Sequence, residues 1–292
     1  MDLIFKNKKT ITLALLPALL IFFVIVFMPI MRSFVYGFYK WNGLGEPIYV
    51  GWKNFIDILT DKIFWSAFKN NLFIVAASVL GQIPIGLLIA IVLNKKLKST
   101  SFFRTIFFLP MILSTVVVGL LWSTIFNAQV GILNQLLTKL GLEKLEQDWL
   151  GNPKIAMYTI SIVIIWQFVG FYMIIFLAAL QNIPIDIIEA AEIDGAGELH
   201  KLFKITIPMI WDTIMAAVVL CIAGSMRTFD LVFVMTKGGP AHATELMATY
   251  MYNKTFEVYK YGYGSAVSLI IFILSLSLIL ISRKVMSKRE DI

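Results

Sequence analysis

The chain has 292 residues, of which 59% are hydrophobic and 15% are charged, and its mean hydropathy is +0.83. Soluble domains are about half apolar and about a quarter charged, so this composition excludes an ordinary soluble enzyme and predicts a membrane protein of several spans. The single cysteine, Cys221, excludes an intramolecular disulfide, and His200 and His242 lie too far apart for a metal site. The formal charge of +7 fits a membrane-orientation signal rather than nucleic-acid binding.

The hydropathy pattern predicts an all-α integral membrane protein with six transmembrane helices. A helix that crosses a bilayer needs about 20 mostly apolar residues. The first stretch has a basic flank, but its apolar run is too long for a signal peptide, so we interpret it as an uncleaved span. The six predicted spans lie at about 11–31, 70–93, 105–126, 155–180, 209–234 and 263–282.

The domain organisation predicted from these spans has three parts. Residues 1–68 hold the N-terminal span and an external segment, 69–286 form the transmembrane core with a loop at 181–208, and 287–292 form a cytoplasmic tail. The segments 32–68 and 127–154 are long enough for short interfacial helices. No separate soluble domain is expected.

The distribution of basic residues predicts the orientation of the chain. Lys and Arg are denser in the short segments on one side of the predicted membrane, and that side is normally cytoplasmic. Both termini and the 181–208 loop are therefore predicted to be cytoplasmic. The basic residues that carry this prediction are Lys6, Lys8, Lys9, Lys95, Lys96, Lys98, Arg104, Lys201, Lys204, Arg283, Lys284, Lys288 and Arg289.

The 181–208 loop is acidic, although it lies on the basic side. Pro184 favours a helix start, a helix is predicted from about Ile185 to Asp194, and Gly195 is placed to end it. A second short helix is predicted from about Glu198 to Thr206, before the fifth span begins at Pro208. The loop is thus predicted to be a helix, a turn and a helix.

Three acids, Asp186, Glu189 and Glu192, follow at a spacing of three in the first of these helices. They share one ridge, with no Lys or Arg beside them to form pairs. The same helix is rich in Ile and Ala. By chemistry alone, two interpretations stay open: the helix fits a groove on a basic cytoplasmic partner, or it lies on the bilayer with its acids in water.

The loop resembles a motif of permease subunits from binding-protein-dependent ABC importers. The motif is Glu-Ala-Ala, three residues, Gly, nine residues, Ile-x-Leu-Pro; here it is 189–191, Gly195 and 205–208, with Ile207 in place of Leu. The resemblance implies the type I importer permease fold, in which this segment is a cytoplasmic coupling helix that docks in a cleft of the ATPase. It implies that Glu189 pairs with a basic group there, that Ala190 and Ala191 pack closely, that Gly195 makes the turn, and that Asp194 belongs to the same contact.

Two further segments resemble the sugar-transporting branch of that family. One is Val50-Gly51-Trp52-Lys53-Asn54-Phe55, and the other combines Phe229-Asp230, Thr236-Lys237-Gly238-Gly239-Pro240 and Thr244-Glu245. Together the similar segments extend over about 12–286. The resemblance implies a multi-pass protein of the bacterial cytoplasmic (inner) membrane that imports a carbohydrate. Its implied partners are a second, different permease, an ATP-binding cassette ATPase dimer, an extracellular or periplasmic sugar-binding protein and membrane lipid; no cofactor and no nucleic acid are expected.

Polar residues inside predicted spans mark a candidate solute path. Gln82, Gln167 and Ser225 are such residues, and Phe171 with Tyr172 adds the aromatic and hydroxyl groups that sugars favour. Hydrogen bonding between helices explains the polar residues equally well, and core or lipid packing explains the aromatic ones. Both interpretations stay open.

The Gly238-Gly239-Pro240 stretch predicts a turn. Its functional interpretation is an external loop that meets the binding protein, and its structural one is a bend after the fifth span; the two are compatible. Arg227 and Asp230, just before it, are spaced to form an ion pair.

The sequence has no Gly-x-x-x-x-Gly-Lys-Ser/Thr phosphate loop, so the chain is predicted to be a permease subunit rather than an enzyme, with ATP hydrolysed by a partner. An ion-coupled secondary transporter or channel is the first alternative, but its usual mid-membrane carboxylates would have to be Asp212 and Asp230, which lie near span ends. A non-transporting membrane scaffold is the second.

Overall fold

The computed structural model describes residues 8–95 and 99–287. The tail positions 288–292 lie outside these ranges, as do five of the basic residues used to predict orientation. Those five are Lys6, Lys96, Lys98, Lys288 and Arg289.

The first of two compact units comprises the described part of Met1–Asp61 together with Met251–Phe272. It contains a short antiparallel hairpin that the sequence did not predict, in which Tyr39 lies opposite Tyr49. The 32–68 segment, which is long enough for a short helix, contains α3. The elements before residue 62 are α1 (Lys8–Phe22), a π-helical turn (Phe23–Phe27), α2 (Met28–Tyr36), β1 (Tyr39–Lys40), β2 (Ile48–Tyr49) and α3 (Lys53–Thr60).

The second unit comprises Lys62–Tyr250 and Ile273–Ile292, of which 96–98 and 288–292 are outside the described ranges. Its elements are α4 (Lys62–Asn94), α5 (Thr100–Ile112), α6 (Thr115–Ile125), α7 (Ile132–Lys139), a 3-10 turn (Glu143–Leu145), α8 (Ala156–Gln181), α9 (Ile185–Ile193), α10 (Glu198–Lys201), a π-helical turn (Leu202–Thr206), α11 (Ile207–Met209), α12 (Trp211–Met226) and α13 (Asp230–Thr236). The last three elements are α14 (Met247–Tyr252), a π-helical turn (Asn253–Glu257) and α15 (Tyr261–Ser287). The π-helical turn belongs to the first unit, and α14 and α15 each contribute residues to both units.

The predicted all-α membrane fold is confirmed, with two of its six spans bent. Within the described residues, four unbroken helical stretches are long and apolar enough to cross a membrane: Ala14–Tyr36, α4, α8 and Tyr261–Met286. Two further spans are pairs of helices joined at a sharp angle, 95° between α5 and α6 and 68° between Glu198–Met209 and α12.

The third span was predicted as one helix over 105–126, and this is wrong. Leu113 and Ser114 adopt extended backbone conformations, so the helix stops and restarts at Thr115. Pro110 lies three residues before the break; its ring interferes with the preceding turn and favours distortion of a helix. Average hydropathy runs across the break unchanged, which is why the pattern did not reveal it.

The fifth span was predicted over 209–234, and this boundary is also wrong. Helix α12 ends at Met226, residues 227–229 are not helical, and α13 begins at Asp230 as a separate short helix. At the other end, the segment Glu198–Met209 stays helical through Pro208, where we expected the loop helix to stop. The apolar run of the sequence is therefore divided between two elements.

Small residues allow the helices of the second unit to approach one another closely. Helix α8 packs against α4 and α5, and α12 packs against α4. At Gly170 in α8, a Cβ atom would overlap the backbone carbonyl of Phe107 in α5. At Gly86 in α4, a Cβ atom would lie 3.1 Å from the Tyr172 Cβ. Such contacts are typical of membrane helices, whose association depends on close packing.

Candidate functional site

The first candidate site is the connection between α8 and α12. Helix α9 begins after Pro184 and ends at Ile193, as predicted to within one residue. The Ala196 N–H donates to the Ala191 carbonyl at 2.9 Å, and the Gly195 N–H donates to the Glu192 carbonyl at 3.0 Å. These two bonds form a Schellman motif, which needs a left-handed residue after the helix. Gly195 supplies it with φ of +80°.

One acid of α9, Glu192, has a basic partner, contrary to the prediction that none lies beside these acids. Lys201 in α10 contacts Glu192 at 2.7 Å and Glu198 at 2.6 Å. The prediction failed because Lys201 lies nine positions from Glu192, and the Gly195 turn folds α10 back beside α9. Asp186 and Glu189 have no ion pair among the described residues. Lys95, at the end of α4, approaches Glu198 at 3.8 Å.

These contacts shift two pKa values in the connection, outside the apolar stretch of α12. The pKa of Glu198 lies below its ordinary value because Lys201 donates a hydrogen bond to it and adds positive charge, with a smaller contribution from Lys95. The pKa of Lys201 lies above its ordinary value, chiefly because of its hydrogen bonds to Glu192 and then to Glu198. Glu198 and Lys201 are therefore both charged at neutral pH.

The exposed surface of the connection combines acidic with apolar side chains. Ile193 is 86% exposed and Leu199 is 72% exposed, and Glu189 and Asp194 are also exposed. Ala190 is exposed too, whereas Ala191 is 8% exposed and packs within the chain. A cluster of this kind, rather than single exposed apolar residues, is typical of a surface that contacts another protein.

The second candidate site is a cavity of about 190 Å³ between α4, α8 and α12. Three predicted solute-path residues line it: Gln82, Tyr172 and Ser225. The Gln82 Nε2 donates to the Ile164 carbonyl at 3.4 Å, and the Cys221 Sγ lies 3.6 Å from the Gln82 Oε1. The structure thus brings together polar groups from three spans around one space, and the Gln82 amide and the Cys221 thiol also form contacts between helices.

The other two predicted path residues lie outside that cavity. Gln167 is fully buried in α8, where its Nε2 donates to the Thr115 Oγ1 at 3.4 Å. Its Oε1 is buried with no hydrogen-bond partner. Phe171 packs beside the apolar cluster that contains Tyr172, at 5.2 Å between ring centroids.

The break between α12 and α13 lies at the same cavity. Gly224, Arg227, Thr228, Phe229 and Asp230 all line it. Non-helical backbone at membrane depth is tolerated where it borders protein or a polar cavity rather than lipid, and this cavity provides that environment. No ion pair joins Arg227 to Asp230 among the described contacts, so the predicted pairing is wrong; both side chains are exposed instead.

The third candidate site is the turn after α13, which is organised by a buried acid. Glu245 is 5% exposed, and its carboxylate contacts the His242 Nδ1 and the Thr249 Oγ1, both at 2.8 Å. A Cβ atom at Gly238 would lie 2.7 Å from that carboxylate. Gly238 therefore faces inward, whereas His242 is exposed at the tip of the turn.

Two asparagines of α4 hold this turn against that helix, within the second unit. The Asn70 Nδ2 donates to the carbonyls of Ala243 and Glu245 at 3.1 and 2.9 Å. The Asn71 Oδ1 accepts from the Met247 N–H at 2.8 Å. The predicted Gly239 and Pro240 are half-buried in the turn and joined by a cis peptide bond.

Residues 82–289 match the family model described as "Binding-protein-dependent transport system inner membrane component". The chain belongs to this family. Relatives of the permease include a probable ABC transporter permease protein, YurN, of Bacillus subtilis, 36% identical with 96% of each chain covered. The trehalose/maltose transport system permease protein MalF of Thermococcus litoralis is 31% identical, covering 98% of this chain and 97% of that one. The multiple sugar-binding transport system permease protein MsmF of Streptococcus mutans is 33% identical, with 86% of each chain covered.

Solved structures show the same fold for the permease. A bacterial ABC transporter involved in the import of the acidic polysaccharide alginate contains a chain with a TM-score of 0.84 and 23% identity, covering 97% of the permease and 96% of that chain. The alginate transporter in complex with its alginate pentasaccharide-bound periplasmic protein gives a TM-score of 0.85 at 24% identity. The predicted importer permease fold is therefore confirmed.

Sequence reasoning missed three groups that shape these sites. Thr115 accepts the bond from Gln167 and lines the cavity, but a threonine in an apolar run carries no signal by itself. Glu245 was quoted within a motif, yet its burial depends on contacts with Thr249 and His242. Asn70 and Asn71 open the second span, and two adjacent amides there could have been recognised as polar groups in need of partners.

Proposed function

We propose that this permease forms one half of the translocation pathway of an ATP-driven carbohydrate importer. A second, different permease completes the pathway, an ATPase dimer supplies the energy, and an external binding protein delivers the solute. Relatives named for trehalose/maltose and for multiple-sugar transport support a carbohydrate as the solute. Membership of a family of inner-membrane permease components supports hydrolysis of ATP by another chain.

The observation that carries the proposal is the way the exposed acidic face of α9 is joined to the start of the fifth span. Lys201 bonds to Glu192 in α9 and to Glu198 in α10, and Glu198–Met209 leads into α12 through a 68° bend. A force applied to α9 by a partner would reach α12 through these bonds and through the Gly195 turn. Helix α12 lines the interior cavity through Cys221 and Ser225.

The partner that fits α9 is the ATPase. Glu189 is exposed and has no ion pair among the described residues, so it is available to a basic group of another chain. Ile193 and Leu199 add exposed apolar surface on the same connection. In this proposal the connection and both termini lie in the cytoplasm, since the basic residues are densest there, and the Gly238–Pro240 turn faces the binding protein with His242 at its tip.

The movement of α9 would alter the cavity lined by Gln82, Tyr172 and Ser225 and thereby expose it to one side of the membrane or the other. Carbohydrates carry hydroxyl groups that donate and accept, and the amide, phenol and hydroxyl groups of these three residues match them. We assign these residues to the solute path. Gln167 and Phe171 have a supporting role in the packing of α8.

The test is co-purification of the solubilised permease from its native membrane, with identification of the bound chains by mass spectrometry. We expect a second permease and an ATPase with wild type, and loss of the ATPase alone with Glu189→Lys, because this change puts a positive charge on the contact. Glu143→Lys, at an exposed acid of the external 3-10 turn, is the matched control and should retain both partners. Recovery of the ATPase with Glu189→Lys at wild-type yield would contradict the role of α9.

A further inference from the structure

The first compact unit contains a cavity of about 600 Å³, and none of its lining residues belongs to the candidate solute path in the second unit. It is formed by the β1–β2 hairpin, the helix α3 and the segment 254–263, all of which belong to the same unit. Small-molecule sites are concave and typically about 300–1,000 Å³. The size of this cavity therefore fits a small ligand rather than a single solvent molecule or ion.

The lining of the cavity combines apolar and polar side chains and contains charges of both signs. Lys53 and Asp57 follow at a spacing of four along α3, so they lie on one face of it. Asp61 follows directly after the helix, and all three residues line the cavity. Lys40 and Lys260 line it from the hairpin and from the segment after α14. Lys40, Lys53, Asp57 and Lys260 form no ion pairs within the described part of the chain, so they are available to a ligand.

A buried amide also has an unused acceptor at this cavity. Asn54 is only 8% exposed, and its Nδ2 donates to the carbonyls of Gly37 and Tyr39 at 2.8 and 2.9 Å. Both amide hydrogens are thereby used, which fixes the orientation of the side chain. Its Oδ1 accepts no hydrogen bond from the described residues. Because Asn54 lines the cavity, this oxygen is an acceptor for a donor on the ligand.

Aromatic rings complete the lining. Trp41 stacks on Tyr36 with 4.9 Å between ring centroids and lines the cavity, as do Tyr259 and Tyr263. Tyr259 is 61% exposed and has φ of +57°, a conformation that is unfavourable for a bulky residue. Such a residue persists where the surrounding contacts fix it, and it is often found at ligand sites. The strained backbone holds an aromatic side chain at the edge of the cavity.

We infer that this cavity is a second carbohydrate-binding site of the permease, distinct from the interior path. Pyranose rings offer C–H faces to aromatic side chains, and their hydroxyl groups donate to carboxylates and to the Asn54 Oδ1 and accept from lysines. Lys40, Lys53 and Lys260 additionally suit the carboxylate of a uronic sugar. The inference rests on the proposed function, since only a carbohydrate importer has reason to hold its solute at a site outside the path.

The test is saturation-transfer difference NMR on the full-length permease in lipid nanodiscs, with maltose, diacetylchitobiose and digalacturonate as probes. We expect at least one of them to give signals that Lys53→Met and Asp57→Asn each reduce by about fivefold or more. Lys139→Met, at an exposed lysine of α7 outside the cavity, is the matched control and should bind as wild type does. Thermal unfolding of each variant shows that a lost signal is not a lost fold.

Two results would overturn the inference. The first is the absence of signal from all three probes with wild type at millimolar concentration. The second is equal binding by wild type and by both cavity variants. The first result has a further reading if the sugar-free binding protein binds the control variant but neither cavity variant. The cavity is then a protein contact rather than a sugar site.

The proposed function is tested separately by ATP-dependent uptake in vesicles that contain the complete transporter. Uptake of a carbohydrate by wild type, without probe binding at the cavity, would leave the importer intact and remove the second site. The absence of ATP-dependent uptake of any carbohydrate would remove the proposed function itself. The two failures are therefore distinguishable.

Discussion

The interior cavity and the α8–α12 connection both contain polar groups, but these groups differ in charge and in exposure to solvent. The polar groups of the cavity are mainly neutral amide, hydroxyl and thiol groups among apolar side chains, with Arg227 and Asp230 at the break between α12 and α13. The connection carries exposed charges joined through Lys201. Buried polar groups are costly to leave unpaired, whereas exposed ion pairs are screened by solvent and contribute little. In the proposed importer, packing and solute affinity would therefore depend on the interior, and coupling to the ATPase would depend on the connection.

Packing of the interior gives the largest expected effect. Gly170→Ala should lower the free energy of unfolding by about 3 kcal/mol, the upper end of the cost of overpacking, because the new Cβ meets the Phe107 carbonyl. Gly224→Ala is the control, since a Cβ there has no neighbour within 4 Å. Thermal unfolding in detergent compares the two, and equal melting temperatures would show that α5 and α8 are not closely packed.

Substitution of the two interior amides, one at a time, tests which of them contacts the transported solute. Gln82→Leu should raise the KM of uptake about tenfold, equivalent to about 1.4 kcal/mol of solute affinity, because Gln82 lines the cavity. Gln167→Leu should leave KM unchanged and preserve or increase stability, because it removes a buried carbonyl without a partner. Uptake kinetics in proteoliposomes measure both variants. Equal KM increases would place both amides on the path, contrary to their separation in the structure.

The turn after α9 tests the connection. Gly195→Pro should abolish uptake with normal membrane insertion, because proline cannot adopt φ of +80° and has no N–H for the Glu192 carbonyl. Gly195→Ala keeps that N–H and meets no neighbouring atom, so it should cost only about 1 kcal/mol of local strain and reduce uptake partially. Uptake is normalised to the amount of permease in the membrane. Full activity of Gly195→Pro would show that the turn does not transmit movement.

The smallest expected effect is a pH dependence of the connection. The pKa of Glu198 lies below its ordinary value of 4.5, so its ion pair stabilises the folded protein above that pH. This contribution is lost as the pH falls through the lowered pKa. Melting temperatures from about pH 6 to about pH 3 should therefore fall slightly more for wild type than for Glu198→Gln. Glu143→Gln is the control and should follow wild type; identical curves for all three proteins would contradict a stabilising pair.

Local signals in the sequence predicted the connection well. Pro184 and Gly195 fix the bounds of α9 through backbone conformations that only these residue types favour. The pairing of Lys201 with Glu192 escaped prediction because it depends on how the turn folds two helices together. The exposed surface of α9 follows from its pattern, but the proposal of an ATPase as its partner rests on family resemblance rather than on periodicity.

The breaks in the third and fifth spans were not predictable from hydropathy. An apolar stretch has the same high hydropathy whether it forms one helix or two, and Leu113 and Ser114 carry no strong turn signal. The inward position of Gly238 likewise depends on Glu245, which is buried by contacts with Thr249 and His242. The sequence identified polar residues within the predicted spans. That Gln82, Tyr172 and Ser225 line one cavity depends on helix packing, which the sequence did not predict.

The first span has a consequence for how the chain enters the membrane during synthesis. Ala14–Tyr36 has a mean hydropathy of 2.8, and none of its most apolar window is buried by the described part of the chain. Its transfer into lipid thus requires no contact with later helices. It can therefore partition into the bilayer on its own and help to set the topology of the spans that follow it.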